Sequence, residues 1–427
     1  MTVRVPWTGS LFSVNARILA VAGICAPPGS RLYLVYTGWM LFTQLSFFAA
    51  QVQGLWYFWG DVDKITLDAC LMVAEVLGII KIATFLRRQS DFYRIVNKLD
   101  DVVTRQRHSG DAEVRSILEA SRKTARALTV CVTLLGCPSP AVWTASPFLM
   151  ALVGGGGGAA HRSLPAAARY TAFDTQSPWF EALTALQFFS MQYSFFTTVG
   201  VDMLVVSIMI HASAQLEVLN VVFCRLGKSL GSSVENSDPG ASSSYRANIY
   251  SCAGSYGMSR QANSAETTTK KKFYGELRDC IRHHQDVIQL VADVERLLTS
   301  MILTQVLGAT LIICVTLFQF ATNIDNIGTV LRVSVYMSFM IYEVFMYCWY
   351  AHNIIDQSCR IAESAYCCGW PGAPASLQRA VMVVICRAQR PLALTAGKFY
   401  LVSRATFIQL INASYTYYAL LRQMSDH

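Results

Sequence analysis

The sequence predicts an all-α membrane protein of seven transmembrane helices. Its N-terminus is cytoplasmic, its C-terminus extracellular, and spans 4 to 7 extend inward to form a cytoplasmic helical cluster. Three observations predict this. Of the 427 residues, 53% are hydrophobic and only 15% charged, where a soluble domain carries about a quarter charged residues. Apolar runs long enough to cross a bilayer, roughly 20 residues at 1.5 Å each, recur along the whole chain. Lys and Arg crowd into alternate loops.

Residues 1–31 read as a cytoplasmic N-terminal segment in which the short Ile18–Pro28 run forms an interfacial or pre-span helix. Spans 1 to 4 occupy 32–210, as Leu32–Phe58, Ile65–Leu86, Arg126–Leu152 and Ala182–Ile210. Span 1 ends in the aromatic cluster Trp56, Tyr57, Phe58 and Trp59, an interfacial belt. Span 2 carries Asp68, Glu75 and Lys81. Lys81, near its inner end, is expected to snorkel to the cytoplasm. Glu75 lies at mid-membrane, where a charge costs roughly 2.5–3.5 kcal/mol on insertion scales. It reads equally as a paired structural carboxyl or as a polar contact in a wet cavity. After span 2, Phe92, Ile95, Val96 and Leu99 recur at helical spacing and carry that helix into the cytosol. Pro138, Pro140 and Pro147 break span 3. The five glycines Gly154–Gly158 make a flexible outer loop.

Residues 211–298 form a cytoplasmic loop. Within it, 227–269 is rich in Ser, Gly, Ala and Asn and reads as a disordered insert. Residues 271–298 form an amphipathic helix that runs into span 5. Spans 5 and 6, Thr299–Phe320 and Val333–Tyr350, fill 299–352. A cytoplasmic helical segment covers 353–397, with its helix at Leu377–Arg387. Span 7 is Lys398–Leu421, followed by a short extracellular tail, 422–427.

Loop charge sets the orientation. The N-terminal tail holds Arg4, Arg17 and Arg31 and no acid, and the loops after spans 2, 4 and 6 are rich in Lys and Arg. The alternate loops hold little beyond Lys64, Arg162, Arg169 and Arg332. The positive-inside rule then places the N-terminus in the cytoplasm, opposite to a G-protein-coupled receptor. The net charge of +8 resides in these loops and signals no nucleic acid. No cofactor, metal centre or enzyme is expected. His283 and His284 are adjacent, not four apart, and Cys367 and Cys368 lack metal-site spacing.

Span 7 has a stripe of small and polar residues, Thr406, Gln409, Ala413, Thr416, Leu420 and Gln423, at steps of three and four. They share one helix face. Spacing alone allows a helix–helix contact or a pore wall. By outer-half depth, Met72, Trp143, Phe148, Phe188, Gln192, Tyr193, Tyr336, Phe339 and Met340 are the candidate lining of a site for a small apolar ligand.

Two stretches resemble the insect odorant receptors. One is Leu277-Arg278-Asp279-Cys280-Ile281-Arg282-His283-His284-Gln285 before span 5. The other runs from Tyr347 to Met424, through Arg387-Ala388-Gln389-Arg390-Pro391, Leu394-Thr395-Ala396-Gly397-Lys398-Phe399 and Ser414-Tyr415-Thr416-Tyr417-Tyr418. The resemblance implies a tetrameric odorant-gated cation channel, assembled with the shared odorant co-receptor in the plasma membrane of a sensory neuron. It implies a small volatile ligand held among the outer halves of spans 2 to 6, and a pore lined by span 7 with its gate at Leu420, Gln423 and Met424. The C-terminus resembles the ligand-tuning subunits more than the co-receptor. Thr416-Tyr417, with Gln423 following, also resembles the gustatory-type receptors of the same superfamily. The His283-His284-Gln285 helix favours the odorant group.

Overall fold

In a computed structural model, the structure describes residues 10–25, 31–60, 62–108, 110–145, 164–166, 168–170, 176–235, 260–322, 327–368, 370 and 375–425. The described chain is a helical bundle. Its elements are α1 (Ser13–Val21), α2 (Arg31–Tyr57), α3 (Val62–Arg87), α4 (Gln89–His108), α5 (Ala112–Gly136), α6 (139–145), α7 (Trp179–Glu235), α8 (Arg260–Thr322), α9 (Ile327–Tyr366) and α10 (Ala375–Ala388). A two-stranded hairpin, β1 (Thr395–Ala396) and β2 (Tyr400–Leu401), precedes α11 (Arg404–Ser425). Among the described residues, six helices are long and apolar enough to cross a membrane, all among α2 to α9.

The axis of the bundle is α7. Its 57 residues contain no proline and run about 85 Å at 1.5 Å per residue, far beyond a hydrocarbon core of about 30 Å. Helices α1, α2, α3, α5, α8 and α9 pack on it. Of its most apolar stretch, 83% is buried, against 17% for α2. So α7 is wrapped by protein while α2 presents its apolar surface outward. The 63 residues of α8 and 40 of α9 also outrun a bilayer.

Their surplus length packs with the two amphipathic helices. In α4, Phe92, Ile95, Val96 and Leu99 follow the i, i+3, i+4, i+7 pattern and are buried. In α10, Leu377, Val381, Val384 and Ala388 do the same. The turn from α4 to α5 passes through Gly110 at φ 79°, a left-handed position where glycine is unstrained. Asp111 then caps α5, accepting from the backbone N–H groups of Glu113 and Val114 at 3.1 and 3.3 Å. Arg225 of α7 ion-pairs with the same carboxylate. The guanidinium holds the Asp111 carboxyl below its ordinary range. Stability from this link is therefore complete at neutral pH and is lost as pH falls through that lowered value. Replacing Asp111 by alanine is expected to destabilise the protein by about 0.5–2 kcal/mol, read as a lower melting temperature at pH 7. A shift that was as large at pH 3 as at pH 7 would contradict the assignment.

Four expectations are corrected. Helix α1 precedes the first span, but it covers Ser13–Val21 where Ile18–Pro28 was expected, and it packs into the bundle. Its Asn15 Nδ2 donates to Thr129 at 3.4 Å and to Ser207 at 3.2 Å, and Leu19 is buried beside Gly200, where a Cβ would meet Leu19 at 3.1 Å and Ile18 at 3.2 Å. Internal partners for its polar residue let the helix enter the bundle. The insert 227–269 is helical at both ends, because α7 continues to Glu235 and α8 starts at Arg260. Extending an existing helix adds one hydrogen bond per residue without a new nucleus. Residues 236–259 and the Gly154–Gly158 run lie outside the described residues.

The third correction is span 7. Lys398–Ser403 is not helical; residues 395–401 fold as the hairpin, and α11 begins at Arg404. Gly397 and Lys398 take left-handed φ of 61° and 64°, which no helix tolerates. Ser403 then caps α11 by accepting from Thr406 N at 3.3 Å. The predicted tail is shortened too, since α11 continues to Ser425. The helical extension beyond the spans is thus made by α7, α8 and α9, with α10 and the hairpin where the start of span 7 was expected. The fourth correction, Lys81, belongs to the site.

Candidate functional site

A cavity of about 130 Å³ lies where α2, α3, α6, α7, α8 and α9 converge. Apolar cavities of about 150 Å³ admit a benzene-sized molecule, so this one is on the scale of a small ring compound. Its aromatic wall comes from four elements, with Phe47 supplied by α2. Trp143 of α6 meets Tyr336 of α9 with centroids 6.0 Å apart, and Phe195 of α7 meets Phe339 of α9 at 6.2 Å. The wall depends on Gly136 at the end of α5. A Cβ there would stand 2.5 Å from Phe195 and 3.2 Å from Phe339. The α5 helix stops at this point because Pro138 follows, and α6 can then swing Trp143 into the cavity. Arg332 stacks over the Trp143 ring at 4.7 Å.

The other end is polar. Lys81 Nζ donates to Asp202 Oδ2 at 2.7 Å and to Glu343 Oε1 at 2.9 Å, and Tyr347 donates to Asp202 Oδ1 at 2.8 Å. All four are buried. Lys81 therefore does not snorkel out of the bundle; it joins α3 to α7 and α9. The reason is that two acids from neighbouring helices meet at its depth, and pairing inside is better than stretching a stem past them. Lys81 and Glu343 both line the cavity, as do Glu75 and Gln305. Glu75 accepts from Gln44 Nε2 at 3.0 Å.

Of the residues expected from depth, Trp143, Tyr336, Phe339 and Met340 line this cavity. Met72, Phe188, Gln192 and Tyr193 do not. Gln192 instead donates to Cys137, to its carbonyl at 3.4 Å and its Sγ at 3.2 Å, while Tyr193 is buried outside the lining. Phe148 lies outside the described residues. The misses have one cause. Depth along a helix was legible but azimuth was not. On α7 the cavity face is Met191, Ser194, Phe195 and Thr198, and on α3 it is Leu71, Ala74 and Glu75. The signal that could have found it was the three ionisable residues Glu75, Lys81 and Glu343, each anomalous in an apolar helix.

On α11, the side holding Phe407, Leu410, Ile411, Ser414 and Tyr418 turns toward α8 and α9. Phe407 packs on Phe345 at 5.5 Å, and Ser414 donates to Thr310 O at 3.5 Å. Gln409, Thr416, Leu420 and Gln423 are exposed on the remaining surface. Thr406 and Ala413 are half-buried, with Thr406 bonded to Leu401 and Ser403. Met424 is within the helix, with its side chain outside the described set. Although 22 residues long, α11 is not among the six helices apolar enough to face lipid on composition. Among the described residues, no group of three or more His, Cys, Asp or Glu could hold a metal.

The model of the "7tm Odorant receptor" family matches residues 61–415. Odorant receptor Or2 of Anopheles gambiae is 28% identical over 151 residues, 35% of this chain and 40% of Or2. The odorant receptor coreceptor of Aedes albopictus is 24% identical over 169 residues, 39% of this chain and 35% of that protein. The matched stretch thus spans about two fifths of the length of these curated relatives. The solved insect olfactory receptor OR5 from Machilis hrabei in complex with eugenol superposes with a TM-score of 0.74 over 97% of both chains, at 14% identity. At that identity the likeness speaks for the fold.

Proposed function

The chain belongs to the insect odorant receptor family, and from that premise we propose that it is the ligand-tuning subunit of an odorant-gated, non-selective cation channel of the plasma membrane. The observation that carries this reading is the aromatic cavity bounded by Trp143, Tyr336, Phe339 and Met340. It is of a size for a small volatile compound and has a largely apolar wall. OR5 was solved with eugenol, a small ring compound, and a ligand of that scale suits this cavity. Seven spans with the N-terminus inside follow from counting α11 with the six apolar helices and from the loop charges. The polar, exposed face of α11 supports a pore wall. Gln409 and Gln423 are costly to set against lipid, and copies of α11 gathered around an axis would turn that face to water. The co-receptor would supply the other subunits.

The test is expression with and without an odorant co-receptor, recording currents to a panel of volatiles. Expected are currents that need the co-receptor and persist when G-protein signalling is blocked. Currents lost under that block, or silence to every volatile with both subunits at the surface, would refute the channel reading. In the same cells, Leu420→Ala is expected to raise basal current several-fold by widening the outer end of the pore. Unchanged basal current and gating in both Leu420→Ala and Met424→Ala would remove those residues from the gate.

A further inference from the structure

The polar end of the cavity gathers more acidic than basic side chains. Around it stand three acids, Glu75, Asp202 and Glu343, and one lysine, Lys81. Lys81 is shared between Asp202 and Glu343. Among the described residues, no cation lies within ion-pair distance of Glu75, whose carboxyl receives neutral donors, the amide of Gln44 at 3.0 Å and the hydroxyl of Ser194. A buried carboxylate held by a neutral donor is electrostatically incomplete.

A second, independent observation points into the same space. Gln305 of α8 lines the cavity and is 1% exposed, yet neither its Oε1 nor its Nε2 has a hydrogen-bond partner. Buried amides are nearly always satisfied, so an orphaned one on a cavity wall marks where a guest's polar group would sit. Its carbonyl is an acceptor, as is the Glu75 carboxylate, and the hydroxyls of Ser194 and Thr198 stand on the α7 wall of the same cavity. None of these four side chains is a cation, and the lysine of the cavity, Lys81, is paired with Asp202 and Glu343. An ammonium brings three N–H donors and one positive charge, and the rings of Tyr336 and Phe339 offer an apolar surface to the rest of such a ligand.

We infer that the ligand class of this receptor is small aromatic or alkyl primary amines, bound as ammonium ions between Glu75 and Gln305 with the apolar part against the aromatic wall. This rests on the proposed ligand cavity and deepens it. A carbonyl or ester of the same shape would present only acceptors to Glu75 and is disfavoured. The hydrocarbon would leave Gln305 and Glu75 as they are and gain nothing from them.

The experiment compares 2-phenylethylamine with 2-phenylethanol, which differ in the amine alone, by two readouts. One is current with the co-receptor; the other is the thermal shift of the purified chain, which needs no channel activity. The amine is expected to act at about tenfold lower concentration than the alcohol, the effect of one charge-assisted hydrogen bond. Glu75→Gln should erase that preference, and Gln305→Leu should reduce it with surface expression intact. Equal potency of amine and alcohol on the wild type, or a preference that survives both substitutions, would overturn the inference while leaving the channel reading in place. An amine-selective thermal shift without any current would do the reverse, sustaining the site and refuting the channel. If Glu75→Gln fails to reach the surface, Gln305→Leu alone decides: an undiminished preference overturns the inference.

Discussion

Replacing Lys81 by methionine is expected to cost the receptor about 3–5 kcal/mol of stability, the cost of removing one partner from a buried ionic cluster. Its Nζ holds Asp202 at 2.7 Å and Glu343 at 2.9 Å, and a methionine fills the same space with no charge. Two carboxylates on α7 and α9 would then face each other inside the bundle with only Tyr347 donating to Asp202, at 2.8 Å. The readout is the melting temperature of the detergent-purified protein, together with its level at the cell surface. A combined Lys81→Met, Asp202→Asn, Glu343→Gln variant should recover most of the loss, because amides need no counter-ion and still hydrogen-bond. That recovery separates a charge effect from a packing effect. If Lys81→Met melts with the wild type, the cluster does not hold the helices together. If the triple variant is no better than the single one, the loss comes from shape.

The cluster shows what was legible in the sequence and what was not. Seven apolar or near-apolar stretches, the amphipathic α4 and α10 and the Pro138 break could all be read along one helix at a time, because each depends on local periodicity or on one residue's backbone. The pairing of Lys81 with Asp202 and Glu343 depends on three helices separated by 121 and 262 residues, and no single-helix pattern encodes it. Read alone, Lys81 near a span end fits snorkelling; its partners become visible only when α7 and α9 are packed against α3. The same limit explains the cavity. Trp143, Tyr336, Phe339 and Met340 were identified by depth, but Phe195 and Met191 required the rotation of α7 about its own axis. The Gly397-Lys398 reversal was hidden in a different way. It sits in a stretch rich in apolar and aromatic residues, Phe399 to Val402, whose composition equally suits a helix start.

That reversal carries the second large effect. Gly397→Val is expected to unseat the hairpin and with it the start of α11. At φ 61° a β-branched residue costs roughly 1–2 kcal/mol in backbone strain. Its Cβ would also stand 2.5 Å from Leu303 Cδ2 of α8, and forced packing of that kind adds roughly 1–3 kcal/mol. The strain cannot be relieved by sliding, because the hairpin is fixed to α8 at several points. Gly397 N donates to Thr299 O at 3.0 Å, and Thr395 Oγ1 donates to Glu295 at 2.7 Å. Val402 N donates back to Leu394 O at 3.0 Å, one residue before Ser403 caps the helix. The direction in which α11 leaves is therefore set by the α8 surface. If α11 lines a pore, a displaced hairpin would alter gating as well as stability, so the variant should show reduced surface level and altered current per channel. Lys398→Gly provides the opposite sign. Lys398 already occupies a left-handed φ of 64°, so glycine there relieves strain and should leave the melting temperature unchanged or raise it. A Gly397→Val receptor with wild-type melting and currents would show that α11 finds its place without the hairpin. Loss of stability in Lys398→Gly would show that its side chain, and not the backbone reversal, is what the junction uses.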